Sequence, residues 1–238
     1  MSGVYFCELL VAHTRADADA EHINFLLSSR ADTPDRTDYI LGRSDRNPVP
    51  VMIGEVEKLI AGGADLIAIP CNTAHYFYES IAKASSVPVL NIIHETVEFC
   101  RMKGYGKVGV LATEGTILSG AYEQECRRAG VAYMTCTAEE QAVISHIIYE
   151  QIKRGQAPNL EAFRSVCEAL YERGCEAIIL GCTELSLLKK MTDSDPRWID
   201  SLEVLAATAI CACEKEPIGF DTTMMNFIPR KETIHVTE

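Results

Sequence analysis

Two cysteines occupy equivalent places in an internal repeat of the sequence. Leu59–Thr73 reads LIAGGADLIAIPCNT and Leu170–Glu184 reads LYERGCEAIILGCTE, so Cys71 and Cys182 match at an offset of 182 − 71 = 111 residues. Inverting a stereocentre by proton transfer needs a base on one face of the carbon and an acid on the other. A thiol has a pKa closer to neutral pH than a carboxyl group, so two thiols can exchange these roles. We expect the two cysteines to flank one substrate carbon.

Each cysteine is expected at the carboxyl end of a buried strand and at the start of a helix. Asn72 and Thr73 follow the first cysteine, and Thr183 follows the second. These residue types cap helices or bind ligands, and the N–H groups of helix N-termini attract anions. A helix N-terminus also lowers the pKa of a thiol from its usual ~8.5, so we expect both thiols to have lowered pKa values.

The elements that must position the cysteines form an alternating pattern. Short apolar runs alternate with stretches of helical spacing, which predicts an α/β fold with parallel sheets. Because the repeat covers both cysteines, we expect two pseudo-symmetric lobes, each a parallel sheet flanked by helices, with the active site in the cleft between them. The predicted strands are Ile23–Leu27, Leu66–Ile69, Val89–Ile93, Val108–Leu111 and Ala177–Leu180, and the predicted helices are 4–14, 50–61, 117–129, 139–153, 159–173 and 202–213.

The domain boundaries follow from the same pattern. We expect an N-terminal lobe of residues 1–98 plus 200–216, a C-terminal lobe of residues 99–199, and a tail at 217–238. Ser2–Tyr5 resembles Ser119–Tyr122, but only the second copy is preceded by a strand and turn. The first strand of the N-terminal lobe is therefore expected to be missing, which would leave an unpaired position in its sheet.

Composition excludes several classes of function. The chain has 22 Lys and Arg against 34 Asp and Glu, a net charge of −12, which is incompatible with general binding to nucleic acid. It contains neither a membrane-spanning apolar run nor an export signal, so we expect a cytoplasmic protein that binds no membrane. The eight other cysteines are expected to be reduced core residues. No CxxC or GxxxxGK[ST] motif predicts a metal or nucleotide site.

Five motifs resemble the aspartate/glutamate racemase family, and aspartate racemases in particular. The resemblance extends from about Val4 to about Ala212, although family members open with a strand and a GGMG-type loop and this sequence starts after that segment. Glutamate racemases usually carry His at the position of Glu184. In order, the motifs are PDRT (34–37), PCNTAH (70–75), LATEGT (111–116), IYEQIKRG (148–155) and GCTEL (181–185).

The resemblance implies cofactor-independent racemisation of a free acidic amino acid, interconverting L- and D-aspartate by two-base proton transfer in a homodimer. Cys71 and Cys182 would be the catalytic pair. Arg36 and Lys153 would bind the side-chain carboxylate, with Arg36 offering two parallel hydrogen bonds. The α-carboxylate would be held by Asn72, Thr73, Thr113, Thr116 and Thr183.

Several alternatives remain open at this point. Without the resemblance, Arg36 and Lys153 read as solvated surface charges. His75 either orients the neighbouring thiol or satisfies the core, and Glu184 either complements a helix dipole or relays protons. The same scaffold would also suit a glutamate or hydantoin racemase, a decarboxylase or isomerase that uses one thiol, or a homologue that binds without turnover.

Overall fold

The computed structural model describes residues 2–192 and 195–220. This part of the chain forms eleven α-helices and six strands, and at least one helix lies between each pair of successive strands, as an α/β pattern predicts. The helices are α1 (Ser2–Ala12), α2 (Arg36–Ile40), α3 (Val49–Ala61), α4 (Tyr78–Ala84), α5 (Ile92–Met102), α6 (Glu114–Leu118), α7 (Ala121–Ala129), α8 (Ala138–His146), α9 (Leu160–Glu172), α10 (Thr183–Lys190) and α11 (Ser201–Ala212). The strands are β1 (Ile67–Ala68), β2 (Val89–Leu90), β3 (Lys107–Leu111), β4 (Ala132–Thr135), β5 (Ala177–Leu180) and β6 (Trp198–Asp200).

The strands form two parallel sheets of different size. In the first lobe β1 pairs with β2 alone, whereas the second lobe has four strands in the order β4-β3-β5-β6. All pairs are parallel, and Ile178 of β5 lies opposite Gly109 of β3 on one side and Trp198 of β6 on the other. Every residue of β5 is buried, as expected of a central strand covered by helices on both faces. The fold class is thus α/β, with parallel sheets flanked by helices.

The internal repeat is also a structural repeat. Helices α3 and α9 each have 13 residues, and their first residues are 160 − 49 = 111 positions apart. Both helices lead into a glycine with positive φ, Gly63 at 95° and Gly174 at 86°, a conformation that L-residues with a Cβ rarely adopt. Each glycine turns the chain into the strand that precedes a cysteine. The sequence match therefore marks the same helix, turn and strand in both lobes.

The predicted strand Ile23–Leu27 is wrong. This segment has no strand assignment, and Phe25, Leu26 and Leu27 are exposed. Its counterpart in the second lobe, β4, pairs with β3. Within the described residues the first lobe holds no counterpart of β3, so the segment has no strand to pair with.

Two predicted elements change type partway along. The predicted strand Val89–Ile93 ends at Leu90, because the Asn91 side chain accepts hydrogen bonds from the N–H groups of Ile93 and His94 and so begins α5. The predicted helix 139–153 begins as α8, capped by Thr137 and Glu140, and then widens. Its second half consists of a π-helix at Ile147–Gln151 and a 3-10 turn at Ile152–Arg154.

The lobes are joined through a shared apolar core. Helices α5 and α11 pack on each other, and α11 also contacts α1. One buried cluster includes Leu9 of α1, Leu90 of β2, Val108 of β3 and Leu205 of α11, so it reaches both sheets. Two further clusters lie within single lobes, one around Ile81 and the other around Phe163. This continuous packing holds the ends of β1 and β5 on facing sides of one cavity.

The chain after α11 returns to α1. Thr14 forms an isolated antiparallel bridge with Pro217, and the ring of Phe220 stacks on that of His13 with centroids 4.1 Å apart. The tail predicted at 217–238 is described only as far as residue 220, and its remainder lies outside the described residues. No helix in residues 2–192 and 195–220 is long and apolar enough to cross a membrane.

Candidate active site

A cavity of about 200 Å³ lies between the two lobes, and both repeat cysteines line it. This volume is below the roughly 300–1,000 Å³ of sites for drug-sized ligands, so the cavity suits a small molecule. Eight of the nine residues expected at the site line this cavity, namely Arg36, Cys71, Asn72, Thr73, Thr113, Lys153, Cys182 and Thr183. The ninth, Thr116, lies directly behind two of them.

Cys71 is held by its own loop and by a buried histidine. The Cys71 N–H donates to the carbonyl of Ile69 at 2.7 Å, and the Cys71 carbonyl lies 2.9 Å from Nδ1 of His75. Nε2 of His75 lies 3.3 Å from both the N–H of Ile92 and the carbonyl oxygen of Leu90. Burial lowers the pKa of His75 against the opposing effect of its backbone hydrogen bonds. A neutral imidazole protonated at Nδ1 donates to the Cys71 carbonyl and accepts from the Ile92 N–H, so His75 anchors the backbone of the cysteine loop.

Cys182 lies at the N-cap position of α10 and carries an acidic partner. Its Sγ donates to Oε2 of Glu184 at 3.0 Å. Burial raises the pKa of Cys182 well above its usual value, and the negative charge of Glu184 raises it further. The expectation that the helix N-terminus lowers the pKa of this thiol is therefore wrong, because burial and a neighbouring carboxylate outweigh the helix dipole.

Three threonine hydroxyls form a closed triangle beneath the cavity. Oγ1 of Thr73 lies 2.9 Å from that of Thr113 and 2.8 Å from that of Thr116, and the last two are 2.9 Å apart. Thr73 belongs to the first lobe and the other two belong to the second, so the triangle ties the lobes together. A ligand carboxylate that takes a hydroxyl from this triangle must replace one of these hydrogen bonds.

Arg36 and Lys153 bring positive charge to the cavity from opposite lobes. Burial lowers the pKa of Arg36, but the nearby Cys71, Asp35 and Glu184 together raise it above its usual range. Nζ of Lys153 lies 4.2 Å from the ring centroid of Tyr149, a cation–π distance. The structure thus puts the first cation next to a cleft thiol and the second over an aromatic wall.

The side chains of Asn72 and Thr183 form hydrogen bonds with other side chains of the protein. The Asn72 side chain donates to Oγ of Ser201 at 2.9 Å and accepts from the Tyr122 hydroxyl at 2.7 Å. Oγ1 of Thr183 lies 2.7 Å from Oγ of Ser2. Asn72 is only 2 % exposed, so its amide stabilises the floor of the cavity.

Sequence reasoning missed several residues that line the cavity. Tyr149 and Thr37, whose hydroxyls are 3.0 Å apart, lie inside the motifs IYEQIKRG and PDRT, so their positions within these motifs were the available signal. Thr37 approaches Gly115 so closely that a Cβ there would lie 2.9 Å from the Thr37 Cα, which explains the glycine of LATEGT. Ser2 and Gly3 line the cavity because α1 packs beside α11. No local sequence pattern predicts this contact between distant parts of the chain.

Metal ligands do not cluster in the described part of the chain. No group of three or more His, Cys, Asp or Glu side chains in residues 2–192 and 195–220 is arranged to hold a metal ion. All ten cysteines are free thiols.

Sequence comparison relates nearly the whole chain to one family. A family model described as Asp/Glu/Hydantoin racemase matches residues 1–209. A relative from Bacillus subtilis (strain 168), named broad specificity amino-acid racemase RacX, is 34% identical over 156 residues, which are 64% of this chain and 66% of the relative. A glutamate racemase from Persephonella marina is 27% identical over 161 residues, which are 64% of this chain and 58% of the relative. The matched part therefore spans less than two thirds of the length of these curated relatives.

Comparison of structures extends the likeness to the whole fold. The solved structure described as Picrophilus torridus aspartate racemase superposes with a TM-score of 0.78 and 25% identity, covering 91% of each chain. A structure described as a putative Asp/Glu racemase from Yersinia pestis has a TM-score of 0.75 at 24% identity, covering 90% of this chain and 94% of the other. The second likeness bears on the fold alone.

Proposed function

This chain belongs to the Asp/Glu/hydantoin racemase family, and from that premise we propose that it interconverts L- and D-aspartate by cofactor-independent proton transfer at Cα. One observation carries the proposal: Cys71 and Cys182, the matched cysteines of the two repeats, line the same small cavity. The likeness to the Picrophilus torridus aspartate racemase supports aspartate as the substrate.

The proposed reaction uses one thiol on each face of the substrate carbon. With Cys71 as the thiolate, its sulfur takes the Cα proton while Cys182 gives its own proton to the opposite face. The product has the inverted configuration, and the two cysteines have exchanged protonation states. The reverse reaction starts from that exchanged state, so atoms and charge balance in both directions.

The carbanion formed at Cα needs stabilisation through the α-carboxylate. We assign this carboxylate to Thr73 and Thr113, which Thr116 supports from behind, and to Thr183 at the start of α10, where helix N–H groups favour an anion. Displacing one hydrogen bond of the triangle would release a hydroxyl donor for the substrate. Asn72 holds this region in place from below.

The second carboxylate of aspartate is assigned to the two cations of the cavity. Arg36 and Lys153 supply local positive charge in a protein of net charge −12. An Arg guanidinium offers paired donors to a carboxylate, whereas a Lys ammonium acts as a point charge.

A broader substrate range is the second candidate. Asp35 and Glu184 also line the cavity, so its wall is not uniformly cationic. A mixed wall suits amino acids without a side-chain carboxylate, and the relative from Bacillus subtilis is named a broad specificity racemase.

The test is incubation of the full chain with L-aspartate in D₂O, followed by chiral chromatography and mass spectrometry. We expect D-aspartate carrying deuterium at Cα to accumulate until both enantiomers are equal. Parallel incubations with L-glutamate, L-alanine and a hydantoin measure the substrate range. A ligand-dependent rise in melting temperature without deuterium uptake from any of these substrates would identify a binding protein and reject the proposal.

A further inference from the structure

The two cleft cysteines have charged partners of opposite sign. Arg36 lines the cavity together with Cys71, and the pKa of Arg36 is raised in part by this thiol. Cys182 instead donates its thiol proton to Oε2 of Glu184 at 3.0 Å. A guanidinium stabilises negative charge on a neighbouring sulfur, whereas a carboxylate that accepts a hydrogen bond stabilises the protonated thiol.

We propose that Glu184 is a positioning residue that keeps Cys182 protonated in the unliganded cleft, so that Cys182 starts the reaction as the acid. This inference rests on the proposed racemase function for its catalytic meaning. The effect of the Glu184 carboxylate on the Cys182 thiol does not depend on that function.

Geometry makes Glu184 the dominant partner of Cys182. Both belong to the first turn of α10, and the thiol is 5 % exposed, so water screens their interaction weakly. Lys153 opposes the effect of Glu184 on Cys182 but is less influential than burial or the carboxylate. The other titratable groups that line the cavity around this thiol are Asp35 and Arg36 of the α2 region, Cys71 of the first lobe and Tyr149 of the π-helix.

The asymmetry gives each sulfur a starting role. A cleft with two thiols has no base, and a cleft with two thiolates has no acid, so turnover needs one of each. The carboxylate beside Cys182 favours the protonated form of that thiol, so Cys182 supplies the acid and Cys71 takes the part of the base. After one turnover the protonation states are exchanged, and Glu184 favours return of a proton to Cys182.

The direct test needs no turnover. With cysteine labelled with ¹³C at Cβ, the Cys182 resonance is identified as the one lost in Cys182→Ala, and its chemical shift is followed against pH. In Glu184→Gln, which keeps the shape but removes the charge, we expect Cys182 to titrate about one pH unit lower than in the wild type. Glu184→Asp restores the charge and should return the titration toward the wild-type position.

Asp35→Asn is the matched control, since Asp35 is a second carboxylate of the same cavity that acts on Arg36. We expect it to leave the Cys182 titration within about 0.3 pH unit of the wild type, well below the shift expected for a directly hydrogen-bonded charge. Glu184→Ser serves the same purpose as the glutamine variant if that variant does not fold. An unchanged Cys182 titration in the charge-free variant would overturn the inference.

Turnover provides the second readout. Loss of the Cys182 proton at high pH ends catalysis, so the descending limb of the pH profile of kcat/KM should move about one unit lower in Glu184→Gln. A raised KM with an unmoved limb would instead make Glu184 a substrate contact and reject the positioning role. If the wild type does not racemise any substrate but its Cys182 titration still depends on Glu184, the proposed function fails while the thiol–carboxylate pairing stands.

Discussion

The two halves of the cavity present the same cysteine on different supports. Cys182 follows the four residues of β5, which lies between β3 and β6, and leads directly into the eight residues of α10. Cys71 follows a strand of two residues in a sheet of two strands, and the chain continues as a 3-10 helix at Thr73–Phe77. Regular secondary structure therefore positions the second cysteine. The first is held through the hydrogen bond between its carbonyl and His75, whose ring also contacts the backbone of Ile92.

This difference separates what the duplication kept from what it changed. Both lobes keep a helix of 13 residues, a glycine of positive φ, a strand and a cysteine. The charge beside each sulfur differs, with Arg36 on one side and Glu184 on the other. Racemisation at one carbon needs a sulfur on each face of that carbon. Only one of the two sulfurs carries a proton at the start of the reaction. The two sulfurs can therefore be placed symmetrically while the charges beside them differ.

Alanine replacement of each cysteine should have the largest effect of any change in the molecule. We expect Cys71→Ala and Cys182→Ala each to lose racemisation by more than about 1,000-fold, since one acid–base group is worth roughly 10²–10⁴-fold and neither thiol has a substitute. Cys175→Ala is the control, because Cys175 is a buried thiol of the core outside the cavity. Racemisation within tenfold of the wild type in either cleft variant would exclude the two-thiol mechanism.

Residual hydrogen exchange in the same variants distinguishes the two sulfurs. Each variant keeps one thiol and should exchange the Cα hydrogen of one enantiomer only, with retention of configuration. We expect Cys182→Ala to exchange faster than Cys71→Ala, because Cys71 has a positive partner and Cys182 a negative one. Equal rates would remove the electrostatic contrast between the lobes.

Sequence reasoning located the elements that repeat and the residues in local motifs. Helices α3 and α9 and strand β5 appear within one residue of their predicted bounds, because apolar period, glycine and strand length all agree at these places. Eight of the nine expected site residues line one cavity, and five of them belong to the motifs PCNTAH and GCTEL, which follow the two matched strands. The other three, Arg36, Thr113 and Lys153, were expected only from the family resemblance.

The missed features depend on contacts between distant parts of the chain. Ile23–Leu27 has the composition of a strand, but pairing requires a neighbour that its own residues do not specify. The hydrogen bond between Cys182 and Glu184 requires a particular side-chain conformation, and the one between Ser2 and Thr183 joins positions 181 residues apart. Asn91 is a residue type that commonly caps helices, and the predicted strand Val89–Ile93 did not take this signal into account. The homodimer and the cytoplasmic location stay predictions.

Replacement of Arg36 should have the next largest effect and tests the first lobe. If its main role is to stabilise charge on Cys71, Arg36→Gln should lower kcat, and we expect kcat/KM to fall by about 10- to 100-fold, as for loss of one charge-assisted hydrogen bond. Lys153→Met, which removes the cation that lies over the Tyr149 ring and acts only weakly on Cys182, should chiefly raise KM. The control is Arg43→Gln, because Arg43 pairs with Glu114 at 2.8 Å outside the cavity. A raised KM with unchanged kcat in Arg36→Gln would make Arg36 a substrate contact alone.

The smallest expected effect is on the free energy of unfolding and concerns His75, which supports the cysteine loop of the first lobe only. Burial lowers the pKa of His75 below its usual 6.5, so the folded protein keeps the ring neutral while the unfolded chain binds a proton below that pH. The stability from this group is complete above pH 6.5 and declines as the pH falls toward the lowered value, by at most about 1.4 kcal/mol per pH unit. Glu95, whose pKa burial raises to about 7, acts in the opposite direction.

Urea unfolding of the wild type and of His75→Asn at pH 7.5 and 5.5 isolates the histidine, because the contribution of Glu95 cancels in the difference between the two proteins. Asn keeps a donor for the Cys71 carbonyl, so we expect the variant to be less stable at pH 7.5 and the gap to narrow by about 1 kcal/mol at pH 5.5. His146→Asn makes the same exchange at an exposed position in α8 and provides the matched comparison. A gap that is equal at both pH values would mean that the ring accepts a proton without cost, and His75 would then not be the neutral anchor that distinguishes the Cys71 loop from the helix-borne Cys182.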